Sequence, residues 1–331
     1  LSELSARTRI GIVGYGNLGR GVERAIGLTG DLELIAVHTR RPPESLTPIE
    51  EATRVLGMDA LERMHDRIDV LILCGGSKDD LPRQTPELAR HFNVVDSYDN
   101  HARIPEHFSA VDAAARAGGR TAVISAGWDP GLFSLNRLYG EAILPEGSSY
   151  TFWGKGLSQG HSDALRRVPG VAQGVQYTIP SQAAIEQVRS GAQPRLSVRD
   201  QHTRECFVVL EEGASESAVR TAIVTMPDYF EPYDTTVHFI SAESFARDHG
   251  AMPHGGFVIR SAQTRPGVHQ VIEYHLQLDS NPEFTASVLV ACARAAARMN
   301  AAGQIGAQTV FDIAPALLSP RSPETLRAAL L

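Results

Sequence analysis

Apolar residues follow two rhythms along this chain. Over the first 130 residues, short uninterrupted runs ("RIGIV", "LELIAV", "DVLIL", "NVV", "RTAVI") alternate with longer segments whose apolar positions recur every three to four residues, as Val22 and Ile26 do. Continuous short runs suit strands buried on both faces, and the longer period suits amphipathic helices. Strands alternating with helices predict an α/β fold with a doubly wound, mostly parallel sheet over residues 1–130. Beyond about residue 130, runs such as "SSYTFWG", "GVQYTIP", "ECFVVLEE" and "DTTVHFIS" are separated by longer polar stretches. They predict a second, α+β domain over residues 131–281 with a mixed or antiparallel sheet. The segments "NPEFTASVLVACARAAARM" and "SPETLRAALL" each open on a capping residue followed by Pro and Glu, a helix start. The region 282–331 is expected to pack back on the first domain.

The first apolar run leads into "GYGNLGRG", where Gly14, Gly16 and Gly19 have G-x-G-x-x-G spacing, and then into a helical segment. This strand, turn and helix context is what a Rossmann-type dinucleotide site requires. Gly14 is expected to form the tight turn, Gly16 to let a pyrophosphate approach the backbone, and Gly19 to let helix and strand pack closely. Tyr15, Asn17 and Leu18 complete the phosphate loop. About 20 residues after Gly19, where an NAD site commonly places an acid, the chain has Thr39, Arg40 and Arg41. Guanidinium groups match a 2′-phosphate and an acid repels it, so NADP is the expected cofactor.

Composition narrows the class. Hydrophobic residues make up 43% of 331 and charged residues 21%, with a net charge of −7. That balance describes a globular protein without general affinity for nucleic acid or anionic membranes. Cys74, Cys206 and Cys292 stand far apart, so neither a disulfide framework nor a metal site is expected. The opening "LSELSARTR" lacks the apolar stretch of a secretory signal, and a cytoplasmic protein is expected.

In a parallel sheet, ligands bind beyond the carboxyl ends of the strands, so the residues after each apolar run carry the chemistry. Cys74, Gly75 and Ser77 follow one run and are expected beside the cofactor. The octapeptide "VVDSYDNH" follows another and places Asp96 and Asp99 there, while "GWDPG" adds Trp128 and Asp129. Strand-end hydrogen bonding explains Asp96 equally well. Paired carboxylates suit an ammonium substrate.

The strings "GYGNLGRGVE", "DSYDNH", "GWDPGLFSLNR", "TFWGKGLSQGHSDALRRVPGV", "MPHGG" and "LDSNPEFTAS", in this order and spacing, resemble the meso-diaminopimelate dehydrogenase family from about residue 8 to 320. The resemblance implies NADP-dependent oxidative deamination of the D-centre of meso-2,6-diaminopimelate to L-2-amino-6-oxopimelate, ammonia and NADPH, in a homodimer formed through the second domain. Run in reverse, the reaction supplies a lysine and cell-wall precursor. Asp99 and Asp129 match the positions that the family uses near the reacting amino group, one to bind the ammonium and one to help deprotonate it.

Trp128 and Trp153 are expected as apolar walls, with Gln159 and Gly160 as amide donors to a carboxylate. Because a meso substrate has chemically identical ends of opposite chirality, its remote end must be fixed; Arg204, with Thr178, His254 and Asn281, is the expected clamp. His161 reads as structural. "CGGS" and the Lys155 of "GKG" depart from the family pattern without removing a functional group. Two alternatives are a broad-specificity NADP-dependent D-amino acid dehydrogenase and a non-catalytic NADPH-binding sensor.

Overall fold

The structure, a computed structural model, describes residues 7–331 apart from the side chain of Gln159, so most of the opening segment lies outside the described residues. The chain runs β1 (Thr8–Val13), α1 (Asn17–Gly27), β2 (Leu32–Thr39), β3 (Val55–Gly57), β4 (Val70–Leu73), α2 (Leu81–Leu88), β5 (Asn93–Asp96), α3 (Ile104–Gly118), β6 (Thr121–Val123) and α4 (Leu132–Ile143). It continues through β7 (Gly147–Trp153), β8 (Gly156–Leu157), α5 (Gln159–Arg166), β9 (Val171–Pro180), α6 (Gln182–Arg189), α7 (Val198–Gln201), β10 (His202–Leu210), α8 (Glu216–Val224), β11 (Asp234–Phe239) and α9 (Ala242–Asp248). β12 (His254–Arg265), β13 (Val268–Leu278), α10 (Asn281–Ala301), β14 (Gly306–Gln308) and α11 (Pro323–Leu330) complete it. It divides into two compact units: residues up to Leu135 with Pro282–Leu331, and Asn136–Asn281.

The first unit holds a seven-stranded sheet in the order β14-β6-β5-β4-β1-β2-β3, with every pairing parallel. This is the doubly wound α/β fold that the alternating runs predict. All residues of β4 and β5 are buried because helices cover both faces, which is why β4 reads as an unbroken apolar run and β5 holds an apolar pair, Val94 and Val95, between two buried polar residues. On one face Ile10, Ile12 and Ile72 pack with Val22 and Ile26 of α1 and Leu289, Val290 and Ala293 of α10. On the other, Leu71, Leu73 and Val94 pack with Leu81 of α2 and Val111 and Ala115 of α3. Chain order reverses between β1 and β4, and the loops after these strands flank the crevice where doubly wound sheets bind ligands.

The last residue of β5 organises the sheet edge. Asp96 is fully buried, and each of its carboxylate oxygens accepts two hydrogen bonds. Oδ1 takes the Tyr98 N–H at 3.0 Å and the Ser125 N–H at 2.8 Å; Oδ2 takes the Thr85 hydroxyl at 2.8 Å and His107 Nε2 at 2.7 Å. One side chain thus ties the turn after β5 and the turn after β6 to α2 and α3. The strand-end bonding expected as one explanation of Asp96 is its observed role.

The second unit contains two sheets where the sequence predicts one. A four-stranded sheet, β11-β10-β9-β8, is mixed, with β10 and β11 parallel, and a three-stranded sheet, β13-β12-β7, is antiparallel. Period-two alternation identifies strands but not their partners. Leu165, Cys206, Val208, Ile223 and Phe230 form one core, and Phe152, Ile185, Val188 and Ile259 the other. Among the described residues no helix is long and apolar enough to cross a membrane.

Helix α10 is held by an ion pair between buried Arg294 and half-buried Asp31. Arg294 Nε and Nη2 donate to Asp31 at 2.5 and 2.9 Å, and Nη1 donates to the carbonyl of Leu318 at 2.8 Å. The Arg294 bonds outweigh burial and lower the Asp31 carboxyl below its ordinary value of 3.8. A carboxyl lowered on folding adds stability above its unfolded pKa and loses it as pH falls through the folded value. Arg294→Ala is therefore expected to cost about 2 kcal/mol at neutral pH, because it removes the charge-assisted hydrogen bonds to a half-buried carboxylate. The deficit should shrink as the pH is lowered through the acid range, as urea denaturation at several pH values would show; a pH-independent deficit would point to lost packing instead.

Candidate active site

A cavity of about 250 Å3 opens at the carboxyl ends of β1, β2 and β4. Gly14 and Tyr15, Thr39 to Arg41, and Cys74 and Gly75 line it, so three segments separate in sequence meet there. Gly14 has φ +90°, and a Cβ on Gly19 would run into the Gly14 carbonyl. A Cβ on Gly16 would meet nothing within 4 Å. No protein neighbour therefore demands glycine at this position; the open space beside its backbone is what a close-lying pyrophosphate needs. No side chain caps the N-terminus of α1, and a helix N-terminus favours an anion through its dipole. These features fit a nicotinamide dinucleotide.

The arginines divide the work at the end of β2. Arg41 Nη2 donates to the Tyr15 carbonyl at 2.7 Å, and its backbone N–H donates to Thr39 Oγ1 at 3.0 Å. Arg40 pairs with Asp80 at 2.8 Å, with 58% of its side chain exposed. Burial works to raise the Asp80 carboxyl, but the Gly76 N–H and Arg40 outweigh it and hold it below its usual value. The Tyr15 side chain is buried and donates its hydroxyl to Glu23, so its aromatic ring belongs to the framework. Leu18 packs against the core and has only its backbone to offer the phosphates.

Ser77 connects this pocket to the acid-bearing turn. Its Oγ accepts the Asp99 N–H at 2.8 Å, and Asp99 is exposed. Trp128 is buried edge-on against Phe133, with ring centroids 5.3 Å apart, and the following Asp129 is half-buried. Asp99 and Asp129 thus lie on the two turns that the Asp96 carboxylate anchors.

In the second unit, Thr178 and Arg204 are direct cross-strand partners on β9 and β10, and the Arg204 guanidinium donates to Thr178 Oγ1. Arg204 is 6% exposed and stacks over the Tyr233 ring at 3.8 Å. Its Nε has no hydrogen-bond partner, and it forms no ion pair, among the described residues. Burial first, and then the Arg204 charge, push His161 and His202 down to about 4, so both are neutral near pH 7. Among the described residues the cluster therefore carries one buried positive charge without a protein counterion, an arrangement that calls for an anion.

Trp153, 37% exposed, donates its backbone N–H to His202 Nε2 at 2.8 Å and stacks its ring on that imidazole. Trp153 ends β7, which pairs with β12, and Thr178 pairs with Gly156 of β8. The short link Gly154–Lys155 thus joins the two sheets beside Thr178. Leu157 N–H donates to Pro253 O, next to His254, and Asn281 N–H donates to Met252 O, so the His254 and Asn281 segments adjoin. Gly160 is exposed in the first turn of α5. The Gln159 side chain lies outside what is described. His161 bonds Ser158 Oγ at 2.9 Å and meets Tyr229 and Phe230 edge-on, as befits a structural residue.

Three contributors escape the sequence reading. Asp80 lines the nucleotide cavity, and Tyr233 and His202 flank the Arg204 cluster. Asp80 had a signal, since an acid directly before "LP" reads as a helix start. Tyr233 lies in an irregular stretch with no periodicity to expose it.

Comparison with known proteins agrees with this geometry. A family model described as "Diaminopimelic acid dehydrogenase C-terminal domain" matches residues 127–280. A meso-diaminopimelate D-dehydrogenase of Ureibacillus thermosphaericus is 60% identical over 326 residues, covering 98% of this chain and 100% of its own. The solved diaminopimelate dehydrogenase of Corynebacterium glutamicum in complex with diaminopimelate has a TM-score of 0.91 and 46% identity, covering 99% of this chain and 100% of that one. An engineered D-amino acid dehydrogenase bound to NADP+ has a TM-score of 0.86 and 44% identity, over 98% of this chain and 100% of that one. The chain belongs to the meso-diaminopimelate dehydrogenase family, oxidoreductases acting on a CH–NH2 group.

Proposed function

We propose that this chain oxidatively deaminates the D-centre of meso-2,6-diaminopimelate with NADP and water, giving L-2-amino-6-oxopimelate, ammonia and NADPH. The observation that carries the reading is the buried Arg204 guanidinium, without a protein counterion among the described residues. It provides the seat that a remote substrate carboxylate would fill, with bidentate charge-assisted bonds available from its planar fork. Thr178, His254 and Asn281 complete the distal hydrogen bonds. Trp128 and Trp153 provide apolar walls, and Gln159 and Gly160 provide amide donors.

Arg40 and Arg41, with Thr39, hold the 2′-phosphate of NADP, while the Gly14 to Gly19 loop receives the pyrophosphate and Cys74, Gly75 and Ser77 border the remaining cofactor. When bound, the cofactor accepts hydride from the substrate's α-carbon. Asp99 and Asp129 take the ammonium, one holding it and the other accepting a proton as the carbon–nitrogen double bond forms. Water adds to that bond and ammonia leaves. Fixing the distal end determines which of the two centres reacts, so stereoselectivity resides in the Arg204 set.

A cytoplasmic homodimer completes the reading. The long edge strand β13 supports the dimer, since most of it is exposed, including Val271 and Ile272. The broad-specificity alternative is not favoured, because a relaxed distal site has no use for an uncompensated buried cation.

Two substitutions test the assignment. Arg204→Met should raise the KM for diaminopimelate roughly 100-fold, while thermal stability stays level or rises because a costly buried charge is removed. Lower stability with an unchanged KM would make Arg204 structural. Replacing Arg40 and Arg41 together by Ala should weaken NADP binding roughly 100-fold and leave NAD binding nearly unchanged; equal losses for both cofactors would sink the 2′-phosphate assignment.

A further inference from the structure

A second, smaller cavity of about 20 Å3 shares Gly14, Arg40 and Gly75 with the nucleotide cavity and reaches inward to His38, Met58 and Gln84. His38 is fully buried near the end of β2, and Gln84, on α2, is 8% exposed. His38 Nε2 and Gln84 Oε1 are both buried without a hydrogen-bond partner among the described residues. Two such atoms at one small cavity are unusual, since buried polar atoms are nearly always satisfied.

Their chemistry can be read from their surroundings. His38 Nδ1 lies 3.3 Å from the Gly57 carbonyl, which can only accept, so the ring proton sits on Nδ1 and Nε2 presents a lone pair. Burial lowers the His38 pKa and keeps the ring neutral. Gln84 Oε1 is likewise an acceptor. The cavity therefore presents two acceptors and calls for one small group carrying two N–H or O–H donors. Its volume admits a single nitrogen- or oxygen-sized group and excludes a ring.

Position selects between donors. His38 immediately precedes Thr39, Arg40 and Arg41, to which the adenosine 2′-phosphate is assigned, and the base is attached to that same ribose. We propose that His38 Nε2 and Gln84 Oε1 form an acceptor pair that reads the exocyclic amine of the cofactor's adenine. A 6-oxo purine would set a carbonyl oxygen against both acceptors, so the pair discriminates adenine from hypoxanthine or guanine. The inference rests on the NADP reading above and adds base recognition to it.

The test is calorimetric titration of the full-length protein, without substrate, with NADP and with its deaminated counterpart carrying hypoxanthine. Wild type should bind the deaminated cofactor about tenfold more weakly or worse. Gln84→Met and His38→Leu should each bring the ratio toward one; Gln84→Met, on the helix bordering the cavity, retains a readout if His38→Leu does not fold. Equal affinities in wild type would overturn the inference and leave the NADP reading standing, as would an unchanged ratio in folded Gln84→Met. Failure to bind NADP itself would overturn the underlying reading and the inference with it.

Discussion

A single carboxylate, that of Asp96, sets the working edge of the parallel sheet. Fully buried and accepting four hydrogen bonds, it joins the turn that carries Asp99 to the turn that carries Asp129 and locks both to α2 and α3. A buried carboxylate is tolerable only when its lone pairs are occupied. Here the donors that occupy them are those that shape the two turns. Satisfying one charge and placing two acids are therefore the same structural event. Ser77 extends the frame by joining the loop after β4 to Asp99.

The second unit follows the opposite rule. Arg204 is almost as buried as Asp96, yet its charge has no protein counterion among the described residues, and the neighbouring histidines stay neutral. A scaffold residue in that state costs stability without return, whereas a binding residue keeps its electrostatic potential for the ligand. The ring of Tyr233 offsets part of the cost by stacking on the guanidinium. The nucleotide pocket lies between these extremes: Arg41 is tied to the Tyr15 backbone, while Arg40 is half exposed and paired with Asp80.

The first unit was legible because its chemistry is local. β4 is buried on both faces and appears as an unbroken apolar run, and the glycine spacing that opens the chain needs only its adjoining strand and helix to be interpreted. The octapeptide was half legible: its acids were visible, but Asp96 and Asp99 divide into anchor and candidate catalyst only through Thr85, His107 and Ser125, which lie 11 to 29 residues away. The second unit was harder. Period-two strands do not announce their partners, so the sequence predicts one sheet where the structure has two. Tyr233 and His202 matter only because one stacks on Arg204 and the other feels its charge. Tyr15 and Leu18 sit inside a binding motif, but their side chains serve the core.

The most direct test of the central claim is the initial rate of NADPH formation by the purified protein with meso-, LL- and DD-diaminopimelate, with ammonia release as a check. An acid pair that takes the D-centre, combined with a clamp that holds the remote L-end, predicts turnover of the meso isomer with stoichiometric ammonia, none of the LL isomer and little of the DD isomer. Comparable rates with DD-diaminopimelate or simple D-amino acids would contradict the clamp, and turnover of the LL isomer would contradict the stereochemical assignment itself.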